Sequence, residues 1–262
     1  MSALSYALTD SSTMLRRQGR HMIRYPSLTV MLIGMPILFL LLFVYVFGGT
    51  MGAGLGGAGG RGDYLAYVVP GILMMTVAGG AQGTAIGVAM DMTEGVIGRF
   101  RTMAIFRPSI LVGHVVGSLI QTMLSSVFVL GVAVLIGFRP SATPLGWIAA
   151  FGVLAMTTFA VTWLCVALGL VTDSVETASN TPMFLMVLPF LGSGFVPLDS
   201  LPSGVRWFAE YQPFTPIMET LRGLLMGTPI GDSGILAVAW CVAISVLGFL
   251  WSRKLYERNP VR

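Results

Sequence analysis

Six stretches of the chain run for about 20 residues or more without an Asp, Glu, Lys or Arg. They are Leu28–Phe47, Tyr64–Met90, Pro108–Phe138, Pro140–Thr172, Thr177–Leu198 and Ser233–Ser252. Each is long enough for a helix to cross the hydrocarbon core, and helices satisfy their own backbone there. The pattern predicts an all-α integral membrane protein with six transmembrane helices. The third and fourth runs are long enough to tilt or to extend beyond the bilayer, and both open on a proline, which suits a first helical turn. Pro182, Pro189 and Pro197 punctuate the fifth, with Gly192 and Gly194 after the middle one. A proline so placed frees backbone carbonyls and invites a kink, so this run is the candidate for a movable or interrupted helix.

The first run is too long for the apolar core of a cleavable signal, and GGTMGAGLGGAGG after it reads as a flexible glycine loop. The remaining connectors are short and show no internal repeat. One membrane domain over 1–262 is expected, with a cytoplasmic interfacial segment at 1–27, a connector at 91–109 and an outer segment at 199–232.

The basic residues orient the spans. With the N-terminus inside, Arg16, Arg17, Arg20, Arg24, Arg99, Arg101, Arg107, Arg253, Lys254, Arg258 and Arg262 face the cytoplasm. Arg61, Arg139, Arg206 and Arg222 face outward. Eleven against four places both termini in the cytoplasm. Composition agrees with a membrane protein: of 262 residues, 55% are hydrophobic and only 10% charged, against about 25% charged in soluble domains. Mean hydropathy is +0.84. The net charge of +4 then reflects flanks held against anionic headgroups rather than a nucleic-acid partner. Glycine, alanine and arginine are abundant beside a single lysine, which points to a high-GC bacterial genome and hence to a bacterial cytoplasmic membrane.

The connector DMTEGVIGRFRTMAIFRPS, Asp91 to Ser109, holds more than a loop between spans needs. Val96, Ile97, Phe100 and Met103 fall close to one helical face, and Arg99 and Arg101 project elsewhere. Such a helix either lies in the headgroups with its apolar side down or fits a groove on a soluble partner, with Glu94 and the arginines setting the register. Between the fifth and sixth runs lie about thirty-five residues, too apolar for a solvent loop and too mixed to span. Two short helices broken at Gln212-Pro213 are expected there, with Trp207, Phe208, Tyr211 and Phe214 as interfacial aromatics. Glu219 and Arg222 stand three residues apart and Arg206 and Glu210 four apart. In a poorly hydrated place these charges must pair or reach water.

Chemistry within the spans is sparse. His114 is the one titratable group in them; a proton relay needs partners, so it reads as a hydrogen bond to a neighbouring helix. Gly79, Gly83 and Gly87 form a G-x-x-x-G-x-x-x-G ridge that permits close helix packing. Cys165 and Cys241 lie in apolar runs and read as small hydrophobes. No metal set, nucleophile elbow or phosphate-binding loop is present, and Lys254 in FLWSRKL lacks the glycines of the last of these. No catalytic or metal-binding residue is expected, and energy from ATP must enter through another polypeptide. An integral membrane enzyme acting on lipid is the alternative class; Asp173 with Glu176 and Asp91 with Glu94 are its acid pairs, though acids at helix ends are usually caps or solvated groups.

One family matches these features. L-x-x-L-x-x-L-G-x-G from Leu185 to Gly194, then Leu201-Pro202, then PFTPIMETLR from Pro213 to Arg222, resembles the signature of type-2 ATP-binding-cassette exporter permeases. The likeness is closest to the daunorubicin-resistance permease branch. Pro216 stands where that pattern usually has Tyr, His, Ser or Arg, while Pro213, Phe214 and Arg222 are in place. The resemblance implies a cytoplasmic coupling helix within Asp91–Ser109, an N-terminal interfacial helix around Ser11–Arg24 and paired outer helices after the fifth span. It implies a coupling role for Glu94, Val96, Ile97, Arg99, Phe100 and Arg101, and an outer gate around Leu185, Gly192, Gly194, Pro213, Phe214, Glu219 and Arg222. It further implies a homodimer or heterodimer of permeases, embedded in lipid, with cytoplasmic ATP-binding subunits that hold ATP and Mg while this chain binds no cofactor. The spans offer no charged path, so the expected cargo is hydrophobic or amphipathic: a drug, antibiotic, lipid or glycolipid.

Overall fold

The computed structural model describes residues 26–53, 60–94 and 109–258. The expected N-terminal interfacial helix, and Val96, Ile97, Arg99, Phe100 and Arg101 of the connector, lie outside these residues. Nine helical elements matter here. The first, α1, comprises Pro26–Leu42, a π-helical turn Phe43–Phe47 and Gly48–Ala53. Then come α2 (Arg61–Thr93), α3 (Ser109–Leu135), α4 (Pro144–Val171), α5 (Val175–Asn180) and α6 (Met183–Val187). The last three are α7 (Ser203–Tyr211), α8 (Phe214–Met226) and α9 (Ser233–Arg258). Among the described residues there is no strand, and five helices (α1, α2, α3, α4 and α9) are long and apolar enough to cross a membrane.

Helix α2 is the axis of the bundle, with nineteen buried residues from Tyr64 to Asp91. Side-chain contacts give the directions of its neighbours. Leu32 of α1 meets Gly79 and Arg61 meets Gly48, so α1 runs antiparallel to α2. Thr122 meets Gly80 and His114 meets Gly87, so α3 does too. Helix α4 runs parallel, since Leu154 lies with Leu73 and Gly169 touches Ala85. Helix α9 follows α4, with Cys241 against Thr157 and Gly248 against Trp163. The first four long helices therefore alternate in direction, and α9 runs the same way as α4.

The expected fifth span is not a continuous helix. Thr177–Leu198 folds as α5, the single turn and a half of α6, and a series of turns over residues 188–195. The prolines explain this: Pro182 precedes α6 and Pro189 follows it, and neither can donate a backbone hydrogen bond. The segment nevertheless follows α2 closely. Gln82 Nε2 donates to the Ser179 carbonyl at 2.6 Å, and Tyr64 Oη donates to the Phe195 carbonyl at 3.3 Å. The eighteen-residue step along α2 from Tyr64 to Gln82 covers roughly 27 Å.

Boundaries elsewhere shift for local reasons. The fourth helix begins at Pro144, not Pro140, because Thr143 caps it by accepting from the Gly146 N–H at 3.1 Å. Gly48–Ala53, expected in the glycine loop, is helical and packs back on the start of α2. There Arg61 sits 4.9 Å from the centroid of the Tyr45 ring. At its other end α2 runs three residues past the expected span, so Asp91 belongs to the helix rather than to the connector.

Two apolar cores result. The larger joins α1, α2, α3, α4, the interrupted segment, α8 and α9 through residues such as Leu40, Ile72, Leu130, Leu154, Phe195 and Met218. The smaller gathers Val88, Val115, Trp163 and Tyr256 at the end of the bundle from which the connector leaves. The backbones of α2 and the interrupted segment approach closely in the first core: a Cβ on Gly71 would stand 2.7 Å from the Gly194 carbonyl oxygen. Gly71→Ala should therefore destabilise the fold by about 1–3 kcal/mol. The readout is the unfolding temperature of the detergent-solubilised chain; an unchanged value would mean that the approach is looser than described.

Candidate functional site

The interrupted segment carries carbonyl groups that no helix satisfies, and buried backbone of this kind needs partners from elsewhere in the protein. Two side chains from α8 and the turn before it supply them. Gln212 Nε2 donates to the Leu188 carbonyl at 2.8 Å. Arg222 donates to the Ser193 carbonyl at 2.6 Å and to the Tyr67 carbonyl at 3.1 Å through the same nitrogen. Its other terminal nitrogen donates to Glu219 Oε1 at 2.6 Å. The guanidinium also lies 3.9 Å from the centroid of the Tyr67 ring, within reach of a cation–π attraction. Arg222 thus ties three pieces of the fold, α2, α8 and the interrupted segment, at one point.

Helix α8 can deliver these groups because it is a packed element. Nine of its thirteen residues are buried, and it ends where Gly227 adopts φ 67°, the left-handed conformation that glycine accepts readily. Phe214, expected among the interfacial aromatics, is 1% exposed and belongs to the core. Pro213 occupies the position just before the helix. On helix α7, in contrast, Trp207, Phe208 and Tyr211 are exposed. Arg206 there pairs with Glu210 and Asp199, each at 2.8 Å. The Glu210 hydrogen bond first, and then the Asp199 charge, hold the Arg206 pKa above its ordinary value.

The other signature residues converge on the same place. Leu185 is buried in α6. A Cβ on Gly192 would collide with Gln212 Nε2 and stand 2.6 Å from Thr215 Oγ1; one on Gly194 would stand 2.9 Å from Met218 Sδ. Both glycines let α8 press against the turns. Phe190 and Phe195 stack at 4.4 Å with planes 9° apart, and Phe43 of α1 meets Phe195 at 4.6 Å. The segment is therefore held from α1, α2 and α8. Gln212, Tyr64 and Tyr67, which complete this arrangement, went unselected in the sequence. Gln212 had a visible signal as an uncharged polar residue at a Gln-Pro break amid aromatics, whereas the tyrosines had none.

At the opposite end of α2, Glu94 is exposed and caps the helix, its N–H donating to the Met90 carbonyl at 2.9 Å. One turn before it, buried Asp91 receives a hydrogen bond from His114 Nε2 of α3 at 2.9 Å. His114 does bond a neighbouring helix, and its partner is a carboxylate. The pair had a sequence signal: the lone titratable group of the third run and the first acid after the second flank one connector. The glycine ridge is divided between neighbours. Gly79 faces Leu32, Gly87 faces the His114 ring, and Gly83 has nothing within 4 Å among the described residues. Also among the described residues, no three His, Cys, Asp or Glu side chains gather to hold a metal.

A family model described as "ABC-2 type transporter" matches residues 9–226, which takes in both ends of α2, the connector and the α8 site. The chain belongs to the ABC-2 type transporter family. Within it, the match is to the daunorubicin- and doxorubicin-resistance permease branch. The chain is 27% identical over 259 residues to daunorubicin resistance ABC transporter permease protein DrrB1 of Streptomyces coeruleorubidus, covering 98% of this chain and 89% of that one. It is 25% identical over 186 residues to the probable doxorubicin resistance ABC transporter permease protein DrrC of Mycobacterium tuberculosis, covering 69% and 65% of the two chains. It is 26% identical over 234 residues to nodulation protein J of Rhizobium leguminosarum bv. viciae, covering 84% and 85%. The protein is a multi-pass membrane protein of ABC exporter permease type.

Proposed function

We propose that this chain is the membrane subunit of an ATP-driven exporter that carries a hydrophobic or amphipathic solute outward across the bacterial cytoplasmic membrane. The observation that carries the reading is the family match over residues 9–226, in a chain that offers no phosphate-binding loop. ATP and Mg bind a separate cytoplasmic subunit. Two permease chains, identical or homologous, assemble with two such subunits and enclose the path in lipid. The chain forms one permease domain over 1–262, and the interrupted segment between α4 and α7 counts as its fifth crossing. The depth over which that segment follows α2, roughly 27 Å, supports six crossings, and the eleven-to-four distribution of basic residues supports cytoplasmic termini. The Arg222 end of α2 then lies outside and the Asp91 end inside.

The coupling contact is the connector 91–109, with Glu94, Val96, Ile97, Arg99, Phe100 and Arg101 facing the ATPase. The outer gate is the interrupted segment with Leu185, Gly192, Gly194, Pro213, Phe214, Glu219 and Arg222. Along α2 between Tyr67 and Asp91 no Asp, Glu, Lys or Arg occurs, and the buried polar groups at these levels include Thr76, Thr84, Thr122 and Thr158. An interior without these charges suits an amphipathic solute such as a drug, antibiotic, lipid or glycolipid better than an ion. The test is transport in inside-out vesicles holding the chain with a co-expressed ATP-binding subunit. Uptake of a fluorescent amphipathic drug should require ATP, stop with a non-hydrolysable analogue, and vanish when either chain is omitted. ATP-independent uptake would reject the reading.

A further inference from the structure

The seam between α2 and α3 differs from the rest of the bundle. On α3, His114, Ser118 and Thr122 recur every four residues and form one stripe. Thr122 lies over Gly80, and Ser118 Oγ donates to the Gly80 carbonyl at 3.3 Å. The His114 ring lies over Gly87, 3.5 Å from where a Cβ would stand, and Nε2 reaches Asp91 Oδ2 at 2.9 Å. Gly87 and Asp91 are one turn apart on α2, so the imidazole spans that turn. Asp91 is 5% exposed and His114 8%, and their helices are the two from which residues 95–108 depart.

Burying a carboxylate beside an imidazole is a poor way to gain stability, because a well-packed apolar pair holds two helices as well or better. A buried polar pair instead discriminates one register from its neighbours. Sliding α3 by one turn, about 5.4 Å, would strand the carboxylate without its ring. Directly beside the pair, the smaller core joins α2, α3, α4 and α9 through Val88, Val115, Trp163 and Tyr256.

We propose that Asp91 and His114 are positioning residues for energy coupling: their bond locks α2 to α3 in one register at the root of the connector. A displacement of the connector then moves both helices and the four-helix base together instead of being absorbed by slippage between them. The proposal rests on the reading of 91–109 as the contact with the ATPase.

The experiment uses the full chain with its ATP-binding subunit in proteoliposomes, and measures ATP hydrolysis and transport of a fluorescent amphipathic drug side by side. Asp91→Ala and His114→Ala should retain the ATPase and hydrolyse within about twofold of the wild type, yet transport about fivefold to tenfold less per ATP. Asp91→Asn, whose amide oxygen still accepts from Nε2, should restore most of that ratio. Should the alanine variants fail to insert, the ratio measured for His114→Gln decides, and a loss with hydrolysis retained supports the lock. An unchanged ratio in the inserted variants overturns the proposal. So does a proportional fall of hydrolysis and transport that Asp91→Asn does not relieve, since a merely structural role gives that result. A wild-type chain that retains no ATPase would overturn the reading of 91–109 itself, and the proposal with it.

Discussion

Arg222→Ala should remove most export while leaving the chain in the membrane with its five long helices formed. The guanidinium donates to the Ser193 and Tyr67 carbonyls, pairs with Glu219 and covers the Tyr67 ring. Its side chain is 15% exposed and that of Glu219 is 37% exposed. The Ser193 carbonyl, left unpaired in a buried place, costs about 1–3 kcal/mol, whereas the Tyr67 carbonyl keeps its place in the α2 ladder. Glu219 can turn to water, so its share is small, and the net destabilisation is about 1–3 kcal/mol. That cost falls on the interrupted segment, whose hold on α2 and α8 is weakened, rather than on the long helices. Since each 1.4 kcal/mol is a factor of ten, a loss of export of about tenfold or more is expected. Arg222→Lys should recover only part of it, because one ammonium cannot reproduce the fork that reaches Glu219 and two carbonyls at once. Normal export by Arg222→Ala, with an unchanged unfolding temperature, would reduce the site to an anchor.

The five long apolar helices were legible in the sequence because the bilayer imposes a length and forbids charge, and both constraints act locally. Ends and interruptions depend on finer chemistry. Pro140 and Pro144 both suit a first helical turn, and only the Thr143 cap selects the second. The proline pattern of the fifth run announced an interruption. Which carbonyls it would orphan, and that Gln212 and Arg222 would meet them, depends on how α8 packs. The Glu219–Arg222 pair was legible from its spacing, since residues three apart on a helix are neighbours. Phe214 was misplaced for the opposite reason: an aromatic in a mixed segment suits an interface or a core, and tertiary packing put it in the core. The glycine ridge shows the same limit. Close contacts occur at Gly71, Gly80, Gly169 and Gly248, none of which belongs to the motif. Asp91 was assigned to the connector because acids at helix ends are usually caps or solvated groups, and His114 supplies a partner for it inside the helix bundle.

If a separate ATPase drives this chain through the connector, Phe100 is the residue whose replacement separates docking on a protein from lying on lipid. If residues 91–109 only lay on lipid, replacing each arginine would weaken membrane contact by about 1 kcal/mol, and hydrolysis by the ATPase would not change. A helix seated in a protein groove depends instead on its buried apolar anchors, where the loss of one aromatic ring costs about 2 kcal/mol or more. Phe100→Asp should then weaken the complex about thirtyfold or more, while Glu94→Ala leaves it assembled but poor in transport. The measurement is co-purification of the ATPase with the tagged chain, read together with drug-stimulated hydrolysis, for wild type and Phe100→Asp at equal membrane insertion. The account predicts that the wild type retains the ATPase and stimulates it, and that Phe100→Asp does neither. Equal recovery and equal stimulation in both would contradict it and place the coupling contact elsewhere.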